Sequence, residues 1–277
     1  MSEKFFSKHF RIEKVNEGLY VAIAKEGGGA VANAGIVDLG DQTIVFDTFN
    51  TQQAAEDLKS IAESITNCPV SWVINSHWHG DHIRGNQVFK DSCIISSQIT
   101  YEKMKENHPS RINHQKNDIL GLKEYIESLN KKFNQTNDIS LENQINFLRE
   151  IEASLPTLEL TLPQLAFKNE INFYGSKRSA KLCTLGGGHS FCDSFLYIPE
   201  DKVIFMGDLL FVDCHPSFFD ETDLEKWIHI LQMIENMAIE VAIPGHGPIG
   251  TKIDLQKVIN YINEKTIVAH ENNQIEK

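Results

Sequence analysis

The run Val70-Ser71-Trp72-Val73-Ile74-Asn75 leads straight into Ser76-His77-Trp78-His79-Gly80-Asp81-His82. The first part is rich in β-branched and aromatic residues and has strand length. The second places three histidines and an aspartate within six residues, in a loop leaving a strand, where functional side chains concentrate. Such a loop can turn alternate side chains inward. His77 and His79 can then share one metal, while Asp81 and His82 turn towards a neighbouring one. Neutral imidazole and carboxylate are donors that a divalent metal such as Zn²⁺ accepts. The competing reading is a solvated, histidine-rich surface loop, and it weakens as similar residues recur at other strand ends.

Three of them do. His189 follows Gly186-Gly187-Gly188 at the end of the apolar run from Ala180 to Leu185, and glycines let a backbone come close to a site. Asp208 ends Phe205-Met206-Gly207-Asp208, after the run from Val203 to Met206. His246 lies in Pro244-Gly245-His246-Gly247, after Val241-Ala242-Ile243. Alone, each reads as well as a turn residue or a lone loop histidine; in this order they support one another. Asp47 and Asp193 are placed either to orient a ligand histidine or simply as turn carboxylates. His215 and Phe218 are candidates for the wall of a substrate pocket, or for ordinary surface. Cys192 and Cys214 lie near these loops, but the donor set is full without them.

The rest of the chain organises around these loops. Short apolar runs at Gly18 to Ala24, Ala34 to Leu39 and Thr43 to Asp47 predict strands, and Ala54, Ala55, Leu58, Ile61, Ala62 and Ile65 recur at helical spacing. Cys93 to Ser96 and Ser194 to Ile198 are further strands; Leu224 to Met237 and Leu255 to Val268 are helices. The stretch from about 98 to 155 differs: it is polar, and its two apolar stripes, from Leu122 to Phe133 and from Leu141 to Leu155, predict two antiparallel helices. This helical insertion is either a wall packed on the core or a lid over the site. Alternation of strands and helices predicts an α/β sandwich with helices on both faces of packed sheets, as one domain over residues 1–277.

Composition limits the function. The 277 residues carry 26 Lys plus Arg against 38 Asp plus Glu, a net charge of −12. That balance disfavours nucleic acid, which needs a basic face, but not a small substrate held at a metal. No run reaches the roughly 18 apolar residues that a membrane span needs, and Met1 to His9 reads as no signal peptide. The five cysteines are odd in number and form no Cys-x-x-Cys pair, which fits reduced thiols in a cytoplasm. A homo-oligomer is compatible with this composition.

The frame from Asn33 to Asp47, with His77 to His82, Gly188-His189-Ser190, Gly207-Asp208 and Gly245-His246-Gly247, resembles the metallo-β-lactamase superfamily, nearer its glyoxalase II-like hydrolases than the lactamases themselves. The resemblance runs from about Leu19 to His246 and carries no motif between about 98 and 155. It implies a four-layer αββα sandwich. It further implies that His77, His79 and His189 hold one metal and Asp81, His82 and His246 a second, with Asp208 bridging both and Asp81 and Asp208 essential to catalysis. The implied ions are two divalent metals, zinc first, with iron or manganese also suited to the donors. The implied reaction is hydrolysis of an ester, thioester, lactone or amide by a hydroxide held between them. Two rivals remain: a single-iron oxidoreductase of the persulfide dioxygenase type, and a structural or sensory metal protein. The second fits less well, because structural zinc sites are usually closed four-ligand cages.

Overall fold

Along the strands, side chains alternate between two apolar environments. Leu19, Val21 and Ile23 face one core, while Ala22 between them faces another; Ile44 and Phe46 alternate with Val45 in the same way. A strand buried on both sides needs a layer on each, and this requirement builds the molecule.

The computed structural model describes residues 5–275, with side chains through Thr266. In chain order, β1 (Phe10–Asn16), β2 (Leu19–Ala24), β3 (Ala34–Asp38) and β4 (Thr43–Phe46) form an antiparallel run. Helix α1 (Gln52–Thr66) follows, capped by the Thr51 hydroxyl, which accepts from the Ala54 N–H at 3.3 Å. Then come β5 (Val70–Ile74), the single turn α2 (Gly80–Ile83) and β6 (Cys93–Ser97). Helices α3 (Gln98–Asn117), α4 (Ile119–Thr136) and α5 (Ile139–Ser154) separate β6 from its parallel neighbour β7 (Leu165–Phe167). The second half holds β8 (Glu170–Tyr174), β9 (Ser179–Gly186), β10 (Asp193–Ile198), β11 (Val203–Phe205), α6 (Leu224–Glu235), β12 (Val241–Ile243) and α7 (Lys252–Ile275).

One sheet runs β1-β2-β3-β4-β5-β6-β7 and the other β12-β11-β10-β9-β8. Their facing sides share one core, with Val37, Ile74 and Ile95 from the first sheet and Leu182, Leu196 and Phe205 from the second. The outer face of the first sheet is covered by α1, through Ala55, Leu58 and Ala62. The outer face of the second is covered by α6 and α7, through Trp227, Leu231, Leu255 and Ile259. The result is the four-layer αββα sandwich expected.

One expectation is corrected. The stretch from about 98 to 155 holds three helices, not two, because α3 was not foreseen. Its buried positions, Thr100, Met104, His108 and Ile112, recur every four residues, yet two of them are polar. An apolar stripe is therefore absent from the sequence although a buried stripe exists. The strands β1, β7 and β8 fall in stretches that read as β, the first fifty residues and the chain after Pro163, but no separate run marks them, and all three are sheet edges. An edge strand has a neighbour on one side only and carries more polar residues, so its alternation is weak.

Candidate metal centre

Loops leaving the carboxyl ends of β5, β9, β11 and β12 converge at one end of the sandwich. The ends of the two sheets are tied there by the Ser194 N–H, which donates to the Ser76 carbonyl at 2.8 Å. Four side chains, His77, His79, His189 and Asp208, have donor atoms within 4.8 Å of one another; Asp81, His82 and His246 form a second such group. The seven residues marked in the sequence as candidate ligands therefore lie in two such groups, Asp208 falling with His77, His79 and His189.

Asp208 stands between the groups. Its Oδ2 lies 3.2 Å from His189 Nε2 and 3.8 Å from His77 Nε2. Its Oδ1 lies 3.1 Å from His82 Nε2 and 3.4 Å from His246 Nε2. The carboxylate thus offers one oxygen to each group. Gly245 permits this approach: a Cβ there would collide with Asp208 Oδ1. Burial would raise the Asp208 carboxyl, but His246, His82 and His189 outweigh it and hold its pKa well below the usual carboxylate range.

Each histidine on the β5 loop is held by its other nitrogen. Ser76 Oγ lies 2.9 Å from His77 Nδ1, and His77 Nε2 is buried without a hydrogen-bond partner. His82 Nδ1 lies 2.7 Å from Asp47 Oδ2, and Asp47 also accepts from the Ser76 N–H and hydroxyl, each at 2.7 Å. His79 Nε2 lies 3.1 Å from Glu221 Oε1, while its Nδ1 lies 3.2 Å from His189 Nε2. These contacts fix ring orientation and tautomer and leave one nitrogen of each ring facing the cluster. Burial pushes the pKa of His77 well down and lowers that of His79. Burial also opposes charge on His82, yet Asp208, Asp47 and Asp81 raise its pKa well above the ordinary value.

The donor set fits a metal by its own chemistry. His77 Nε2, His82 Nε2 and Asp208 Oδ1 are buried polar atoms with no hydrogen-bond partner. Leaving such atoms unpaired costs about 1–3 kcal/mol each, and a cation at the cluster would satisfy all three.

Other candidates fall differently. Asp193 accepts from the Gly188 and Ser190 N–H groups at 2.8 and 3.1 Å and so braces the loop carrying His189. Asn33 braces the His246 loop, donating to the Pro244 and Gly247 carbonyls at 3.0 and 2.8 Å. His215 stacks on Tyr261 of α7, and Phe218 lies against Tyr261 and Trp227. The aromatic ring over the histidines is instead Phe219, 4.8 Å from His79 and 5.6 Å from His189 between ring centroids. Cys192 pairs with Thr184, and Cys214 points at the His246 carbonyl. Glu221 escaped sequence reasoning, and Phe219 stood there only as a neighbour of His215 and Phe218, because their segment follows no period that orients side chains. His108 also escaped it: from α3 its Nε2 meets the Trp78 carbonyl inside the metal loop, at 2.7 Å.

Comparison with known proteins agrees with this frame. Residues 27–246 match the profile of the metallo-beta-lactamase superfamily, and the chain belongs to that superfamily. It is 23% identical over 235 residues to Beta-lactamase-like protein 2 homolog of Caenorhabditis elegans, a match covering 84% of this chain and 61% of that protein. The chain thus spans about three-fifths of that relative's length. Among solved structures it is similar to a metallo-beta-lactamase from Pontibacter korlensis, with a TM-score of 0.67, 17% identity, and coverage of 92% of this chain and 99% of that one. The DIM-1 metallo-beta-lactamase is similar to the same degree, with a TM-score of 0.66, 18% identity, and coverage of 93% and 98%. At these identities the solved structures speak for the fold.

Proposed function

We propose that the seven side chains hold two divalent metal ions, zinc first, and that the protein is a hydrolase of ester, thioester, lactone or amide bonds in small molecules. The observation that carries this reading is the Asp208 carboxylate, with one oxygen towards each histidine group. Bound divalent ions supply a water of lowered pKa and an electrophile for a carbonyl oxygen. His77, His79 and His189 would hold one ion; Asp81, His82 and His246 the other. Asp208 would serve both and keep them close. Asp47, Ser76 and Glu221 hold the rings of His82, His77 and His79, so each presents one nitrogen without rearrangement. Phe219 lies over His79 and His189 and would help to exclude bulk water.

All five cysteines are unpaired, which supports a reducing, cytoplasmic setting. Among the described residues, no helix is long and apolar enough to cross a membrane. The test is elemental analysis of protein purified with metal replete, followed by an ester, thioester, lactone and β-lactam panel. Two ions per chain and turnover of one class are expected. A single iron with persulfide oxidation would replace this reading, and tightly held metal without turnover of any substrate would favour a structural role.

A further inference from the structure

A cavity of about 520 Å³ lies between the α4–α5 pair and the chain that leaves the metal loop. That is the size of a small-molecule site, typically about 300–1,000 Å³. Leu122 and Tyr125 of α4 and Leu148 and Ile151 of α5 give it apolar walls, and Arg84 and Gln115 lie at its polar part.

Arg84 is the group that calls for a ligand. Its Nη2 donates to Gln115 Oε1 at 2.8 Å, but its Nε is buried and has no acceptor. Among the described residues, it forms no ion pair with a carboxylate within 4.0 Å. Burial opposes its charge, and Asp81 compensates only in part, from beyond ion-pair distance; a largely enclosed guanidinium without a paired anion is costly, and its planar fork matches a carboxylate. Its Nε lies 2.9 Å from where a Gly80 Cβ would sit, so the side chain reaches from the cavity to the metal loop. His114 and Asp118 also line the cavity, which leaves Arg84 its one permanent cation and Asp118 an opposing charge.

We propose that this cavity binds an amphipathic carboxylate, with the anion at Arg84 and an unbranched apolar chain between α4 and α5. The site is distinct from the seven metal-facing residues and stands apart from the hydrolase reading.

The test is calorimetric titration of the metal-loaded full chain with hexanoate, octanoate, decanoate and decyltrimethylammonium. One decanoate should bind per chain, each added methylene should strengthen binding roughly fourfold, and the cation of equal length should bind at least about tenfold more weakly. Arg84→Met should weaken decanoate about tenfold, Asp118→Asn should strengthen it, and Leu148→Trp should abolish it by filling the cavity. Should Leu148→Trp fail to fold, Tyr125→Trp does the same work at a position 47% exposed. Carboxylate binding that survives Leu148→Trp or Tyr125→Trp would belong to the metals and overturn the proposal. So would equal binding of the cation, or no dependence on chain length. Every readout is binding, so failure here is distinguishable from failure of the hydrolase reading, which metal content and turnover decide.

Discussion

Asp208 commits its two oxygens to different histidines, 3.2 Å to His189 on one side and 3.1 Å to His82 on the other. No other residue of the site faces both groups this way. Asp208→Ala should lower kcat at least about 100-fold while the fold survives, since one loop residue changes. Steady-state kinetics with elemental analysis checks it, and full turnover with two ions bound would refute the bridging role. Glu221 acts at one remove, holding His79 through Nε2 so that Nδ1 faces His189. Glu221→Gln should weaken metal binding by about 10–100-fold, read by competition with a chromophoric chelator. An unchanged affinity would reduce the contact to packing.

At the scale of elements, α3 is held against the metal loop by His108. Its Nε2–H donates to the Trp78 carbonyl, and its buried Nδ1 has no partner. Protonation would add a second buried donor with nothing to meet it, and burial accordingly lowers the His108 pKa to about 4. An unfolded histidine titrates near about 6.5, so between these values the unfolded chain binds the extra proton and the folded chain does not. Stability contributed by neutral His108 is therefore present above about pH 6.5 and lost as pH falls towards 4, by roughly 3 kcal/mol in all. Urea denaturation across this window should show a stability that rises with pH. His108→Gln keeps a donor for Trp78 without a titrating ring and should flatten that slope. An equally steep slope in the variant would assign the titration elsewhere.

For the molecule as a whole, the candidate metal ligands come from both sheets: His77 to His82 follow β5 of the first, and His189, Asp208 and His246 follow β9, β11 and β12 of the second. Bound ions would clip the sandwich at one end, while the shared core of residues such as Leu196 and Phe205 holds it elsewhere. Ligand at a thousand times its dissociation constant adds about 4 kcal/mol of stability. At about 2–4 °C per kcal/mol for chains of roughly this size, chelation should lower Tm by roughly 10 °C and leave a folded protein. Calorimetry before and after chelation, with re-addition of zinc, measures it. No shift would mean that the ions contribute no stability to the fold.

The amino-acid sequence by itself determined the strands with two apolar faces and the helices α1, α4, α5, α6 and α7, and it marked seven candidate metal ligands. The strands and helices show in local periodicity and His77 to His82 in a single loop, so a window of a few residues suffices for them, whereas His189, Asp208 and His246 stand out only through their common order along the chain. Only the tertiary structure decided the rest. Helix α3 buries Thr100 and His108 within its stripe, so what lies against it, rather than its own apolarity, makes it a packed element. The edges β1, β7 and β8 are strands because a neighbour pairs with them. Glu221 meets His79 across 142 residues, and Phe219 rather than Phe218 lies over the histidines, because the irregular chain between β11 and α6 is oriented by its contacts. That Asp208, in the short turn Gly207–Leu209, stands between two histidine groups is likewise a matter of how two sheets align, and sequence spacing carries no record of that.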